Sequence, residues 1–305
     1  MAGSVVGVMT SASLSLLTVH AHPDDEASKG AGTVARYHAE GVHTVLVCCT
    51  GGEAGEVLNP AVDTEEVRAN LYAVRMQELQ DSVDAIGYDR LELLGYHDSG
   101  MPETETNARA DNFANAQLDE AVGRLVKIIR AERPQVIITY AEDREFYPHP
   151  DHIRVFEITA PAFDAAGDPD AFPDAGDPWQ PSKLYEVGWS RGRIQALHQA
   201  HLDRDLESPF ARWLEHESGP MREDRHTTLV DVSAYMANRR AALLAHRTQV
   251  APDGFWMKLP DDVLKDVWPW EEYVLVRSLV DTGVAEGEIE TDLFAGLRDP
   301  ADVVG

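Results

Sequence analysis

The chain has 305 residues, with 53 acidic against 26 basic side chains and a formal net charge of −27. Such a field argues against nucleic acid or an anionic membrane as partner, because binding phosphates takes clustered basic side chains. A hydrophobic content of 44% suits a globular protein with a full core, and the length suits one large α/β domain with a C-terminal elaboration or two small domains.

Met1–Ser15 is small and mildly apolar, without the basic start of a secretory signal, and reads as an extension, flexible over residues 1–13, with nothing transmembrane. Leu14–Val19 predicts a buried strand that ends in a loop from His20 to Glu26, and Ser28–Glu40 predicts a helix stopped by Gly41. His43–Cys49 predicts the second strand. Cys48 and Cys49, the only cysteines, would point to opposite faces of it, so no disulfide is expected and a reducing, cytoplasmic location is. Thr50–Pro60 is a Gly-rich loop whose Glu53 and Glu56 argue against phosphate. Val67–Ile86 has helical spacing and ends at Gly87, Arg90–Leu94 reads as a third strand, and Asp98 follows in a loop that would face the same crevice as the first. Pro102–Asn115 is expected to be a long mobile loop. Leu118–Arg130 predicts a helix, Val136–Tyr140 a strand and Ile153–Ala166 a helix, with a Pro/Gly-rich linker from Gly167 to Pro181. Beyond it come a strand at Leu184–Val187, a helix at Arg193–Leu206, a strand at Thr228–Val232 and a helix to His246 capped by Ser233, while Trp256, Trp268 and Trp270 read as packing residues. The alternation predicts a Rossmann-like three-layer α/β/α sandwich with a mostly parallel sheet: a metal-binding catalytic domain over 14–181, and an elaboration over 182–305 that completes the sheet and the substrate pocket. No Gly-x-Gly-x-x-Gly follows the first strand, so dinucleotide binding is not supported.

Two short stretches carry the chemistry, His22-Pro23-Asp24-Asp25-Glu26 and His149-Pro150-Asp151-His152. Each follows a predicted strand, and in an open α/β sheet the loops at the carboxyl ends of the strands converge on one crevice. Imidazole and carboxylate are the ligands zinc takes in hydrolytic sites, three of them with one position left for water. His22 and Asp25, three apart, with the distant His152 make such a set, which Fe(II) could also occupy. Asp24 is then left beside the metal as a general base. His149 is the candidate donor to the oxyanion or acid to the leaving amine, and Tyr147 offers a hydroxyl donor. Asp151 would orient one of the histidines. His198, His201, His216 and His226 have no partners by spacing and read as surface residues.

With Ala21 in front of the first, these two stretches resemble the zinc-dependent N-deacetylases of amino sugars, the LmbE-like or PIG-L-like family. Ser28-Lys29-Gly30-Ala31, Thr50-Gly51-Gly52-Glu53, Gly55-Glu56-Val57-Leu58-Asn59-Pro60, Asp98-Ser99-Gly100 and Tyr147 through Arg154 are similar to the members of that family that cleave mycothiol S-conjugates. The resemblance implies the same metal ligands and catalytic roles. It places Glu56 in the active-site loop, Arg75 against the sugar, and His246, within Ala245-His246-Arg247-Thr248-Gln249, in the pocket. Lys29, at the start of the helix after the metal loop, is expected to reach over the pocket mouth and bind the cysteinyl acyl group of the substrate, and it resembles the amidases, where the related deacetylases carry a small polar residue. The implied function is zinc-dependent cleavage of the amide between the cysteinyl group and glucosamine of a small thiol-sugar conjugate, in detoxification. The runner-up is deacetylation of N-acetylglucosaminyl-inositol. The contrasting class, a non-catalytic sugar-binding relative, is disfavoured because Asp24, Asp25, His149 and His152 are all present. The oligomeric state is not legible.

Overall fold

The computed structural model describes residues 13–144, 147–215 and 226–298. The predicted extension, apart from Ser13, and His216 lie outside these residues. The elements in chain order are β1 (Ser15–His20), α1 (Asp25–Ser28), α2 (Ala31–Ala39), β2 (His43–Thr50), α3 (Glu65–Ala69), α4 (Leu71–Ile86), β3 (Arg90–Tyr96), α5 (Leu118–Glu132), β4 (Val136–Tyr140) and α6 (Pro150–Ala166). There follow β5 (Lys183–Gly188), α7 (Arg191–Leu202), α8 (Ala211–Glu215), β6 (Thr228–Asp231), α9 (Met236–Ala245), α10 (Asp261–Val267) and β7 (Trp270–Ser278).

Strands alternate their side chains between faces, and here that alternation builds two cores. Leu16, Leu46 and Cys48 pack with Val34 of α2, Leu79 and Val83 of α4 and Leu243 of α9. Leu17, Val45, Val47 and Cys49 pack on the other face with Val122, Leu125 and Ile129 of α5 and Val155 and Ile158 of α6. The two cysteines are therefore buried in different cores, and both are free thiols. The sheet order is β3-β2-β1-β4-β5-β7-β6, with the first five strands parallel and β7 antiparallel to both β5 and β6. This is the three-layer α/β sandwich. The strand order reverses between β1 and β4, so the loops leaving their carboxyl ends part to either side and open a crevice there. Those two loops carry the two histidine-rich stretches.

Several elements depart from the sequence reading. The predicted Ser28–Glu40 helix is broken at Gly30, whose φ of 107° lies in the left-handed region, leaving α1 as a single turn before α2. The Val67–Ile86 helix is likewise two helices, divided at Asn70. Helix α6 starts three residues before the expected Ile153, with His149 as its N-cap and Asp151 and His152 in its first turn. Ser233 opens a 3-10 turn and caps nothing, and α9 begins only at Met236. Pro102–Asn115, expected to be mobile, is tied down. Phe113 is fully buried, and the Asn112 and Asn115 side-chain amides donate to the carbonyls of Thr106, Asn107 and Arg109. Strand β7 was not foreseen, since its tryptophan and adjacent glutamates mask the alternation. Of the histidines read as surface, His201 is buried at 2% exposure.

Candidate metal centre and active-site pocket

Asp24 links β1 to α1 with φ of 111°, a left-handed conformation uncommon outside glycine and asparagine. The turn survives because it is held on every side. The Asp24 N–H donates to Glu26 Oε2 at 2.9 Å, and Arg75 Nη2 pairs with Asp24 Oδ2 at 2.9 Å while also donating to the Pro23 carbonyl. Arg75 Nη1 donates to the Gly52 carbonyl at 2.6 Å. A Cβ on Gly52 would stand 2.4 Å from the Arg75 guanidinium carbon, so that position has room only for glycine.

Five ligand-type side chains, His22, Asp25, Asp98, Asp151 and His152, meet just beyond this turn. Asp25 Oδ2 lies 3.4 Å from His22 Nδ1 and 3.2 Å from His152 Nε2, while Oδ1 takes the Lys29 ammonium at 2.5 Å. The opposite edge of the His22 ring faces two carboxylates, with Nε2 3.2 Å from Asp151 Oδ2 and 3.6 Å from Asp98 Oδ1. Asp151 is fixed in turn by the N–H and hydroxyl of Ser99, and Asp98 by the N–H groups of Gly100 and Ala54. All of these acids are buried.

The donor set fits a divalent cation. The ligand atoms of His22, Asp25 and His152 all lie within 4.8 Å of one another. His152 Nε2 is buried, makes no hydrogen bond and faces Asp25 Oδ2, so in the tautomer protonated on Nδ1 it would offer a lone pair to a cation there. Burial works against charge on His22, yet hydrogen bonds to Asp151, Asp25 and Asp98 hold its pKa well above the ordinary value, so the cluster draws positive charge to its centre. A metal taking the place of the His22 Nδ1 proton would leave Nε2–H donating to Asp151, the carboxylate–histidine arrangement that orients a metal ligand. A second group, His22, Asp98, His149 and Asp151, has its ligand atoms equally close. A metal at either group supplies Lewis acidity toward a carbonyl and toward water.

His149 stands beside the cluster, its ring centroid 4.5 Å from that of His22. Its Nδ1 accepts from the Asp151 N–H at 3.2 Å, so a neutral ring carries its proton on Nε2. Burial, and then the charge of His22, lower its pKa to about 4. Burial lifts the Asp24 carboxyl above its ordinary range against the pull of Arg75. Tyr147 is 51% exposed, its ring 5.0 Å from that of His152.

Asp24, Asp25, Lys29, Tyr147 and His152 line one end of a cavity of about 490 Å³. Trp189, Phe210, Trp213, Phe255 and Trp256 line another part of its wall. Not every predicted site residue reaches it. Arg75 is 3% exposed and its guanidinium is engaged by Asp24, Pro23 and Gly52. Asp98 is committed to His22 and two backbone N–H groups, and Glu56 is exposed in a loop, with its carbonyl bonded by Gln249. His246 is fully buried behind the site, with Nε2 2.6 Å from Glu26 Oε1.

Glu26 and Tyr140 are the residues the sequence reading missed. Glu26 joins the Asp24 N–H, Ser82 and His246, and Tyr140 uses its hydroxyl on the Ala21 N–H and its ring against His152 at 4.6 Å. Both adjoin the motifs in sequence or strand end, but only their long-range partners show what they do. Because Glu26 and His246 form a fully buried pair, His246→Ala should destabilise the protein by about 3–5 kcal/mol, the cost of stranding one buried charge. Urea unfolding checks this, and a loss under 1 kcal/mol would mean the pair is not charged in the folded protein.

Over 94% of its length the chain is 45% identical to a mycothiol S-conjugate amidase of Streptomyces coelicolor and covers 99% of that protein. Residues 17–163 match the family described as PIG-L: GlcNAc-PI de-N-acetylase. The chain belongs to the PIG-L family. A 1D-myo-inositol 2-acetamido-2-deoxy-alpha-D-glucopyranoside deacetylase of Streptomyces griseus subsp. griseus is 39% identical over 95% of this PIG-L chain and 91% of its own. The solved N,N'-diacetylchitobiose deacetylase of Pyrococcus horikoshii shares the fold, with a TM-score of 0.59 at 19% identity over 86% of this chain and 84% of that one. This PIG-L protein is a hydrolytic enzyme. Among the described residues no helix is long and apolar enough to cross a membrane.

Proposed function

We propose that this enzyme is a zinc-dependent amidase that cleaves the amide between the cysteinyl group and the glucosamine of mycothiol S-conjugates. The observation that carries this reading over deacetylation is the pocket. An acetyl group needs room for one methyl, whereas the cavity of about 490 Å³ extends from the metal cluster to a wall of Trp189, Phe210, Trp213, Phe255 and Trp256. A cysteinyl acyl group bearing an S-substituent would fill that space and bury its apolar surface. The 45% identity to the amidase, against 39% to the deacetylase, supports the same choice.

In this reading His22, Asp25 and His152 would hold zinc, which would supply Lewis acidity toward water and the amide carbonyl, and Lys29 fixes the Asp25 carboxylate through Oδ1. Asp24 takes the proton of the attacking water as its oxygen bonds to the amide carbon. His149 Nε2–H, with the Tyr147 hydroxyl at the pocket rim, steadies the oxyanion. The C–N bond then breaks as the amine takes up the proton that Asp24 removed from the water, giving a cysteinyl carboxylate and free glucosaminyl-inositol. The N-terminus of the 17-residue α6, where His149 is the cap, adds a positive dipole end at the developing negative charge.

The test compares turnover of a mycothiol S-conjugate with that of N-acetylglucosaminyl-inositol. The conjugate is expected to have the higher kcat/KM by about tenfold or more, since only it fills the aromatic part of the pocket. Equal or reversed values would assign the enzyme to deacetylation.

A further inference from the structure

A second cavity, of about 60 Å³, shares Trp189, Phe210, Phe255 and Trp256 with the active-site pocket. That is room for a few waters or one small ion. Its lining includes Arg193 of α7 and Arg239 of α9. Arg193 is 9% exposed, and its Nε is buried with no hydrogen-bond partner. Its guanidinium carbon sits 3.9 Å from the ring centroid of Trp189, and that of Arg239 sits 5.6 Å from Trp256. Among the described residues neither arginine is in an ion pair, whereas the adjacent Arg240 holds Asp261 at 2.6 Å. Two more buried polar atoms on this lining are without partners, His201 Nε2 and the indole Nε1–H of Trp268. His201 is held in place by Nδ1, which lies 2.8 Å from the Leu197 carbonyl.

Unpartnered buried polar groups call for an explanation, and here they converge from three helical and loop segments. Glu271 is the one carboxylate on this lining, and it is committed elsewhere, to the N–H groups of Gly32 and Thr33 and to the Tyr273 hydroxyl. Burial, and then the like charge of Arg193, lower the Arg239 pKa to about 10, so an anion between the two guanidinium groups would relieve both. In a chain of net charge −27, two cations left free beside the substrate pocket are conspicuous.

We propose that this cavity is a carboxylate subsite, in which Arg193 and Arg239 select conjugates whose S-substituent ends in a carboxylate. The inference rests on the amidase reading, which puts the S-substituent against the shared aromatic wall. A guanidinium held over an aromatic ring still has N–H groups to donate, as the unpartnered Nε of Arg193 does, and its fork of donors matches a planar carboxylate in two-pronged fashion. The small volume favours a carboxylate over a bulkier anion.

The test measures kcat/KM on two matched conjugates, S-benzyl and S-(4-carboxybenzyl), for the wild type, Arg193→Gln and Arg239→Gln. The wild type should favour the carboxylated conjugate by about ten- to a hundredfold, the range of hydrogen bonds to a charged group. In either variant the ratio should fall toward one, through KM, while the benzyl conjugate is turned over as before. Equal use of both conjugates by the wild type overturns the subsite. So does an equal loss of both in the variants, which would make the arginines scaffold. If neither conjugate is turned over, the amidase reading has failed, and tryptophan fluorescence titrated with benzoate decides the subsite by itself. A saturable change that Arg193→Gln abolishes upholds a site for free carboxylates, and no change overturns it.

Discussion

Asp24→Asn is expected to keep its metal and to lose turnover by about a hundred- to ten-thousandfold, the usual contribution of a general base. Asparagine is the right replacement because it tolerates the left-handed backbone that Asp24 adopts at φ 111°. Its side-chain oxygen can still accept from Arg75, so the turn and the His22, Asp25 and His152 cluster behind it stay in place. What disappears is a carboxylate lifted by burial above its ordinary range, at the rim of the pocket and next to Asp25. The measurement is kcat at saturating substrate alongside metal content by elemental analysis. A near-normal rate would remove Asp24 as the base.

Asp25→Ala should abolish metal binding and activity together, and the fall in activity should exceed that of Asp24→Asn. Asp25 is the residue on which the cluster closes, facing His22 Nδ1 and His152 Nε2 through Oδ2 and Lys29 through Oδ1. Burial would raise its pKa, but His152 and Lys29 overcome that and hold it well below the ordinary carboxylate value. Losing it removes a ligand and also leaves the Lys29 ammonium without its partner in a partly buried place, which would push the two histidines and the lysine apart. Full metal occupancy in the Asp25→Ala protein would take Asp25 out of the ligand set and point to the neighbouring group of His22, Asp98, His149 and Asp151.

The sandwich was legible because its signals are local. The apolar runs at 14–19, 43–49 and 136–140 are strands with both faces buried, and α5 repeats its apolar residues at helical spacing, with Ala121, Val122, Leu125, Val126 and Ile129 all buried. The two histidine stretches were legible for a similar reason, since a strand of a parallel sheet must deliver the loop after it to the same edge. The helix breaks at Gly30 and Asn70 were not. Each is a single residue inside an otherwise helical pattern, and its effect depends on what the next segment packs against.

The alternation of strands and helices, the opposite facing of the two cysteines, and a His/Asp set at the carboxyl ends of two strands can all be read from the order of residues. Each of these follows from a periodicity or from a residue type whose chemistry is local. How the side chains share their work depends on tertiary packing. Arg75 turns inward to hold the Asp24 turn, His246 pairs with Glu26 across 220 positions of sequence, and Lys29 is drawn onto Asp25. That packing alone brought Arg193 and Arg239, from separate helices, to the lining of one cavity, where the one carboxylate, Glu271, is bonded to the N–H groups of Gly32 and Thr33. Partners so distant along the chain leave no spacing to read, because what joins them is the cost of burying charge and the geometry that meets it.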